Sequence, residues 1–273
     1  MGRSQGREQG RALRRLRAGL GLALLALTVG ANATPKTAEE IGQCMRTNLP
    51  MTLQVKEFEL KSLDKGGSTR VMQGRLYATR EDNLVRSMLS LQAPADMRGA
   101  AYLMREAKTA KDDEMYVYLP ALNKTRRILG GSKDNPLFGT DISYADIKQI
   151  NHAFTGGEVT LEGSETFDGR PVWRLSMKPD PAVQSRFERI HSWVDQASCV
   201  ALKAEFIEAE QVRKRFQAAA KSLVQTGPHW YLSEGRMDDL RQKTHTIIRI
   251  TGVKSGEDLA DRLFNPRTFY IGG

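Results

Sequence analysis

Tyr116-Val-Tyr-Leu-Pro-Ala-Leu-Asn-Lys-Thr-Arg-Arg-Ile128, followed by Phe138-Gly-Thr-Asp-Ile-Ser-Tyr-Ala-Asp-Ile147, reads as strand, turn, basic strand, glycine loop and capped helix. The strand reading recurs on both sides of it. Glu57–Lys61, Gly157–Glu162, Trp173–Lys178 and Val200–Phe206 alternate apolar and polar residues, and Thr246–Ile250 is a β-branched run. Thr69–Thr79, Val85–Gln92, Ala100–Arg105, Met115–Leu119, Thr125–Leu129, Arg189–Val194 and Val212–Gln217 complete the predicted strands. Asp64-Lys-Gly-Gly67, Gly130-Gly131, Asp168-Gly169 and Gly227-Pro228 supply the turns between them. About ten to twelve short strands with few intervening helices predict an antiparallel sheet, not βαβ units. One face of such a sheet is apolar and the other wet.

Three segments have helical character. Thr34-Pro35 and the Thr37/Glu40 capping box start a helix that runs to about Thr47, where Asn48-Leu49-Pro50 stops it. Ser143 to about Asn151 carries Ile147 and Ile150 on one face. Ser255-Gly-Glu-Asp258 predicts a cap for a helix over Leu259–Phe264. A long antiparallel sheet curls, and so few helices cover one mouth or its concave face.

Residues 1–33 have the pattern of an export signal. Six arginines precede the uncharged apolar run Ala18–Val29, and Ala31-Asn32-Ala33 fits cleavage after Ala33. The run is shorter than the roughly 20 residues that span a bilayer, which disfavours a membrane anchor. Residues 34–273 then form a single domain. The chain holds 41 Lys+Arg against 32 Asp+Glu, a net +9. Removing six Arg and one Glu with the signal leaves 35 against 31, or +4, too mild an excess to argue for nucleic acid. In an exported chain the two cysteines, Cys44 and Cys199, favour a disulfide, the alternative being two buried thiols.

No metal-ligand or catalytic pattern stands out. His152, His191, His229 and His245 are dispersed, and there is neither a Gly-x-Ser-x-Gly elbow nor a phosphate loop. No cofactor and no metal are expected. Asp112-Asp113-Glu114 and Asp238-Asp239 read as solvated turns. Lys124-Thr-Arg126-Arg127 is the densest basic patch outside the signal. On a strand Arg126 and Arg127 point to opposite faces, either contacting an anionic headgroup or partner, or protecting a sheet edge. Tyr116, Tyr118, Trp173, Met177, Trp193, Phe206 and Trp230-Tyr231 pave an apolar interior, as core or, in an open sheet, as cavity wall. Tyr116, Tyr118, Trp173, Met177 and Phe206 are the candidate cavity residues.

Tyr118–Ile128, Phe138–Asp146, Trp193-Val-Asp195 with Ala201-Leu-Lys-Ala-Glu205, and Leu263-Phe-Asn-Pro-Arg267 resemble the outer-membrane lipoprotein-sorting family, the LolA-like periplasmic proteins. The match is closest to the branch associated with exporters of the resistance-nodulation-division (RND) class. The resemblance implies a mainly β (α+β) fold, an unclosed antiparallel β-barrel with a few short helices as lid. It implies that the concave side holds lipid or the acyl chains of lipoproteins, received from an inner-membrane exporter and passed to an outer-membrane acceptor. Gly74-Arg-Leu-Tyr-Ala-Thr-Arg80 matches the family's strand motif and makes Arg80 the candidate lid contact, although Glu81 stands where the motif has proline. Two rival functions stay open. One is an exporter-associated or sensory binding module with the same half-barrel and no transport role; the other is an envelope lipid hydrolase.

Overall fold

The computed structural model describes residues 37–150, 155–257 and 260–271. The export signal with its cleavage point, Thr34-Pro35, His152 and Leu259 lie outside the described residues. Helix α1 (Ala38–Thr47) begins in the expected capping box. Thr37 Oγ1 accepts the Glu40 N–H at 3.1 Å, and Glu40 Oε2 accepts the Thr37 N–H at 2.8 Å. Ile41 and Met45, one turn apart, bury one face of the helix.

Thirteen strands form one antiparallel sheet. In chain order β1 to β4 are Leu53–Leu63, Thr69–Glu81, Leu84–Ala93 and Ala101–Arg105; β5 and β6 are Glu114–Leu119 and Lys124–Arg127. After α2 (Tyr144–Ile150) come β7 to β11, at Gly157–Phe167, Arg170–Pro179, Arg189–Asp195, Ala201–Glu208 and Gln211–Gln217. A separate hairpin, β12 (Leu223–Thr226) with β13 (His229–Leu232), precedes β14 (Glu234–Asp239), β15 (Thr244–Glu257) and α3 (Ala260–Leu263). The sheet order is β6-β5-β4-β3-β2-β1-β15-β14-β11-β10-β9-β8-β7. The two end strands do not pair, so the barrel is unclosed. The sheet is also curled, because Met115 of β5 and Met177 of β8 line one small cavity although nine strands separate them in the sheet order.

The alternation along the strands separates a concave core from those on the other face, a small one of which is Val172, Trp193 and Leu202. Phe58, Leu60, Met72, Leu89, Tyr102, Met104 and Met115 face the concave side, where Ile41, Met45, Ile142 and Ile147 close over them. Leu53, Val55, Tyr77, Met88, Ala101 and Leu103 face the other way and are covered by Leu263, Phe264 and Phe269.

Three sequence expectations change. The strand count exceeds ten to twelve, mainly because β12–β14 carry weak patterns. Asp238 and Asp239 sit inside β14, where Arg236 and Arg213 pair with them, so charges that read as a turn are neutralised within the sheet. Ser255, read as a helix cap, is paired with Gln54, since β15 runs on along β1. The C-terminal segment therefore covers the outer face and is not part of the lid.

Candidate functional site

Between the sheet and its cover lies a cavity of about 100 Å³. Its sheet wall is Lys56, Leu76, Ser192, Ala204, Phe206, Phe216, Met237, Ile248 and Ile250, and its cover is Met45 of α1, Asp146 of α2, and Tyr231 and Leu232 of β13. Gly235, Val200 and Ala201 also line it. A Cβ at Gly235 would meet the Phe216 ring at 2.7 Å, so only glycine lets that ring lie over β14. Lys56 belongs to the same strand face as Phe58 and Leu60, and burial lowers it from 10.5 to about 8. The Ser192 hydroxyl, 1 % exposed, has no hydrogen-bond partner among the described residues.

The cover is tied down at two places. Cys44 of α1 is disulfide-bonded to Cys199 at the β9–β10 turn, with Cα atoms 5.8 Å apart. Beside it Asn48 Nδ2 donates to the Ser198 carbonyl at 2.7 Å. The Trp230 N–H donates to Asn48 Oδ1 at 2.8 Å, and His229 Nδ1 to the Thr47 carbonyl at 2.7 Å, so α1 also holds the hairpin.

The second tie is ionic. Glu106, directly after β4, accepts two hydrogen bonds from the Arg46 guanidinium of α1, at 2.8 and 2.9 Å. It lies 3.3 Å from Lys148 Nζ of α2 and also accepts the Val85 N–H. Lys148 donates to Asp113 at 2.7 Å, and Asp146, also on α2, pairs with Lys214 of β11 at 2.5 Å. Burial alone would push the Glu106 carboxyl up. The Arg46 hydrogen bond, the Lys148 charge and the Val85 N–H outweigh that and hold it at about 2. Ser143 and Asp146 cap α2 reciprocally, at 2.7 and 3.2 Å.

The predicted site residues separate into groups. Phe206 lines this cavity and, with Met177, a second one of about 60 Å³ that also meets Phe187 and Lys148. Trp173 packs in the concave core outside the walls of both. Tyr116 and Tyr118 sit on the outer face, because Met115 and Val117 take the concave one; the Tyr118 ring stacks on Tyr270 at 3.9 Å. Arg80 donates to Asn83 Oδ1 at 3.0 Å and reaches α1 indirectly, through Asn83, which meets Gln43 and Arg46 of that helix. Arg126 and Arg127 are exposed on edge strand β6, with Arg127 5.9 Å from the centre of the Tyr116 ring. Asp113, read as a solvated turn residue, is buried because Lys148 and the Ala107 N–H satisfy it.

Sequence reasoning passed over Arg46, Lys56, Glu106, Asp146, Lys148 and Lys214. Two of them had a signal. Lys56 is in phase with Phe58 and Leu60, and Lys214 is two residues from Phe216 on its strand. Among the described residues no three His, Cys, Asp or Glu gather as a metal site, and no helix is long and apolar enough to cross a membrane.

No curated protein matches the sequence. Residues 83–270 match the model of a family described as "Uncharacterized protein". Similar crystal structures include the following three. A DUF1329 family protein from Desulfovibrio piger is 22% identical, with a TM-score of 0.75 over 84% of this chain and 95% of its own. A domain ascribed to an outer membrane lipoprotein-sorting protein of Vibrio parahaemolyticus is 21% identical, with a TM-score of 0.76 over 85% and 99%. A LolA superfamily protein from Nitrosomonas europaea is 17% identical, with a TM-score of 0.65 over 84% and 98%. The chain belongs to the family whose model spans residues 83–270, and its fold is LolA-like.

Proposed function

We propose that the protein is a periplasmic carrier, not an enzyme, which takes lipid or lipoprotein acyl chains into the cavity and ferries them toward the outer membrane. In this reading residues 1–33 direct export and are removed after Ala33, leaving 34–273 as one domain. An inner-membrane exporter of the RND class delivers the cargo and an outer-membrane acceptor receives it. The observation that supports the reading is an apolar cavity lined from β1, β10, β11 and β15 and covered by separable elements. Burying apolar chain there yields about 0.8 kcal/mol per methylene. The cavity is smaller than the roughly 150 Å³ that accepts benzene, so loading requires the cover to move outward. Native mass spectrometry of protein purified from the periplasm should show lipid adducts that exchange with added lipid. A protein that is always ligand-free, with nothing exchangeable, would sink the carrier reading.

A further inference from the structure

The cavity wall carries a cation without a counter-ion. Lys56 is 8 % exposed, and its Nζ lies 5.4 Å from the centre of the Tyr231 ring, which places the ammonium at the cavity. It makes no ion pair and no hydrogen bond with the described residues. The single carboxylate lining the cavity, Asp146 in its cover, is already engaged by Lys214 and by the Ser143 N–H. Lys133 is also buried without an ion pair, but Asp113, Asp134 and Asp146 line its cavity with it. A buried charge met only by an aromatic ring, with no counter-ion, is costly for folding, and an apolar residue of similar size would pack there at lower cost. The Ser192 hydroxyl, on the wall that holds Lys56, is buried with no hydrogen-bond partner among the described residues. Phe206, Phe216, Met237 and Ile248 offer nothing polar to either of them.

We propose that Lys56 binds the acidic head of an anionic amphiphile, a carboxylate or phosphate attached to an acyl chain, whose apolar part lies against Phe206, Phe216 and Met237. This rests on the carrier reading and sharpens it. Ester- or amide-linked acyl chains bring no anion to Lys56, whereas a free fatty acid or an acidic lipid does. Ser192 donates a hydrogen bond from the same wall.

The test uses the delipidated mature chain and two probes of equal chain length, palmitate and hexadecanol, titrated by calorimetry into wild type and Lys56→Met. Wild type should prefer palmitate by at least about tenfold. Lys56→Met should lose that preference while still binding hexadecanol, and should melt no lower than wild type, since a buried unpaired charge is gone. Equal affinity of wild type for both probes, or a preference that survives Lys56→Met, overturns the role of Lys56 and leaves the carrier reading standing. Failure of both probes to bind overturns both. Displacement of palmitate by inorganic phosphate would show a free-anion site and overturn the amphiphile.

Discussion

The two helices that cover the concave face are held by different chemistry. Helix α1 is covalently attached through Cys44–Cys199 and hydrogen-bonded through Asn48 to a backbone carbonyl and a backbone N–H. Helix α2 has no covalent tie. Asp146 and Lys148 hold it in ion pairs with Lys214, Asp113 and Glu106, and the Tyr102 hydroxyl donates to the Tyr144 carbonyl at 2.7 Å. Neither pH nor salt releases a disulfide, whereas protonation of a carboxylate dissolves a buried ion pair. The cover therefore has one fixed edge and one that can be unlatched. Arg46 ties the fixed helix to Glu106, the same carboxylate that holds the releasable one.

The largest effect should come from breaking the fixed edge. The bridge closes a loop of 155 residues, which the chain-entropy model values at about 5 kcal/mol. Cys44→Ser with Cys199→Ser should lower stability toward that figure in urea unfolding, and amide exchange should rise first over Ala38–Thr47. If exchange rose first over Tyr144–Ile150 instead, the assignment of fixed and releasable edges would be reversed.

Glu106→Gln tests the other edge and should cost about 3–5 kcal/mol, because it leaves Arg46 and Lys148 buried with too little negative charge. Here exchange should rise over α2 before α1. Acid should act in the same direction. The groups facing Glu106 are Arg46, Lys148, the Val85 N–H and the Thr155 hydroxyl. With its pKa held near 2 in the folded chain, Glu106 binds fewer protons than in the unfolded chain between about 2 and 4.5. Its stabilising contribution is whole above that window and disappears as pH falls through it. Asp195, at the fixed edge, is also lowered: burial raises it, but the Arg170 and Ser198 hydrogen bonds prevail. Some acid sensitivity should thus survive in Glu106→Gln. Melting temperatures from pH 5 to pH 2 should fall less steeply in Glu106→Gln than in wild type, and equal slopes would remove Glu106 as a source.

Much of the architecture was legible because twofold alternation and capping boxes are local. Thr37 and Glu40 mark α1, and the strands from Thr69 to Arg105 come within a few residues of their observed bounds. The site was less legible because its polar residues break the local rule. Lys56 occupies an apolar position on β1, and nothing adjacent to Glu106 reveals that Arg46, sixty residues earlier, will meet it. Asp113 reads as a turn until Lys148 is placed beside it. Tyr116 and Tyr118 illustrate a phase ambiguity. A strand with apolar residues at both parities does not say which set is concave, and the C-terminal aromatics Phe269 and Tyr270 claim the tyrosines.

Arg80, remote from the core, should matter least to either helix. The resemblance to LolA-like proteins makes Arg80 the expected lid contact; in the structure Arg80 meets Asn83 in the β2–β3 turn, while Arg46 reaches Glu106 and the Asn83 carbonyl. Glu81 stands at the motif's proline and approaches Arg86 at 3.6 Å, so the local charge is directed along the strand pair and away from α2. Arg80→Ala removes one partly exposed hydrogen bond, worth about 1 kcal/mol or less. It should leave exchange over Tyr144–Ile150 unchanged, whereas Arg46→Ala should raise it, since Glu106 then loses its bidentate partner and holds Lys148 alone. If Arg80→Ala freed α2 as fully as Glu106→Gln does, the latch would pass through Asn83 and Gln43 of α1, and the ionic tie would be secondary.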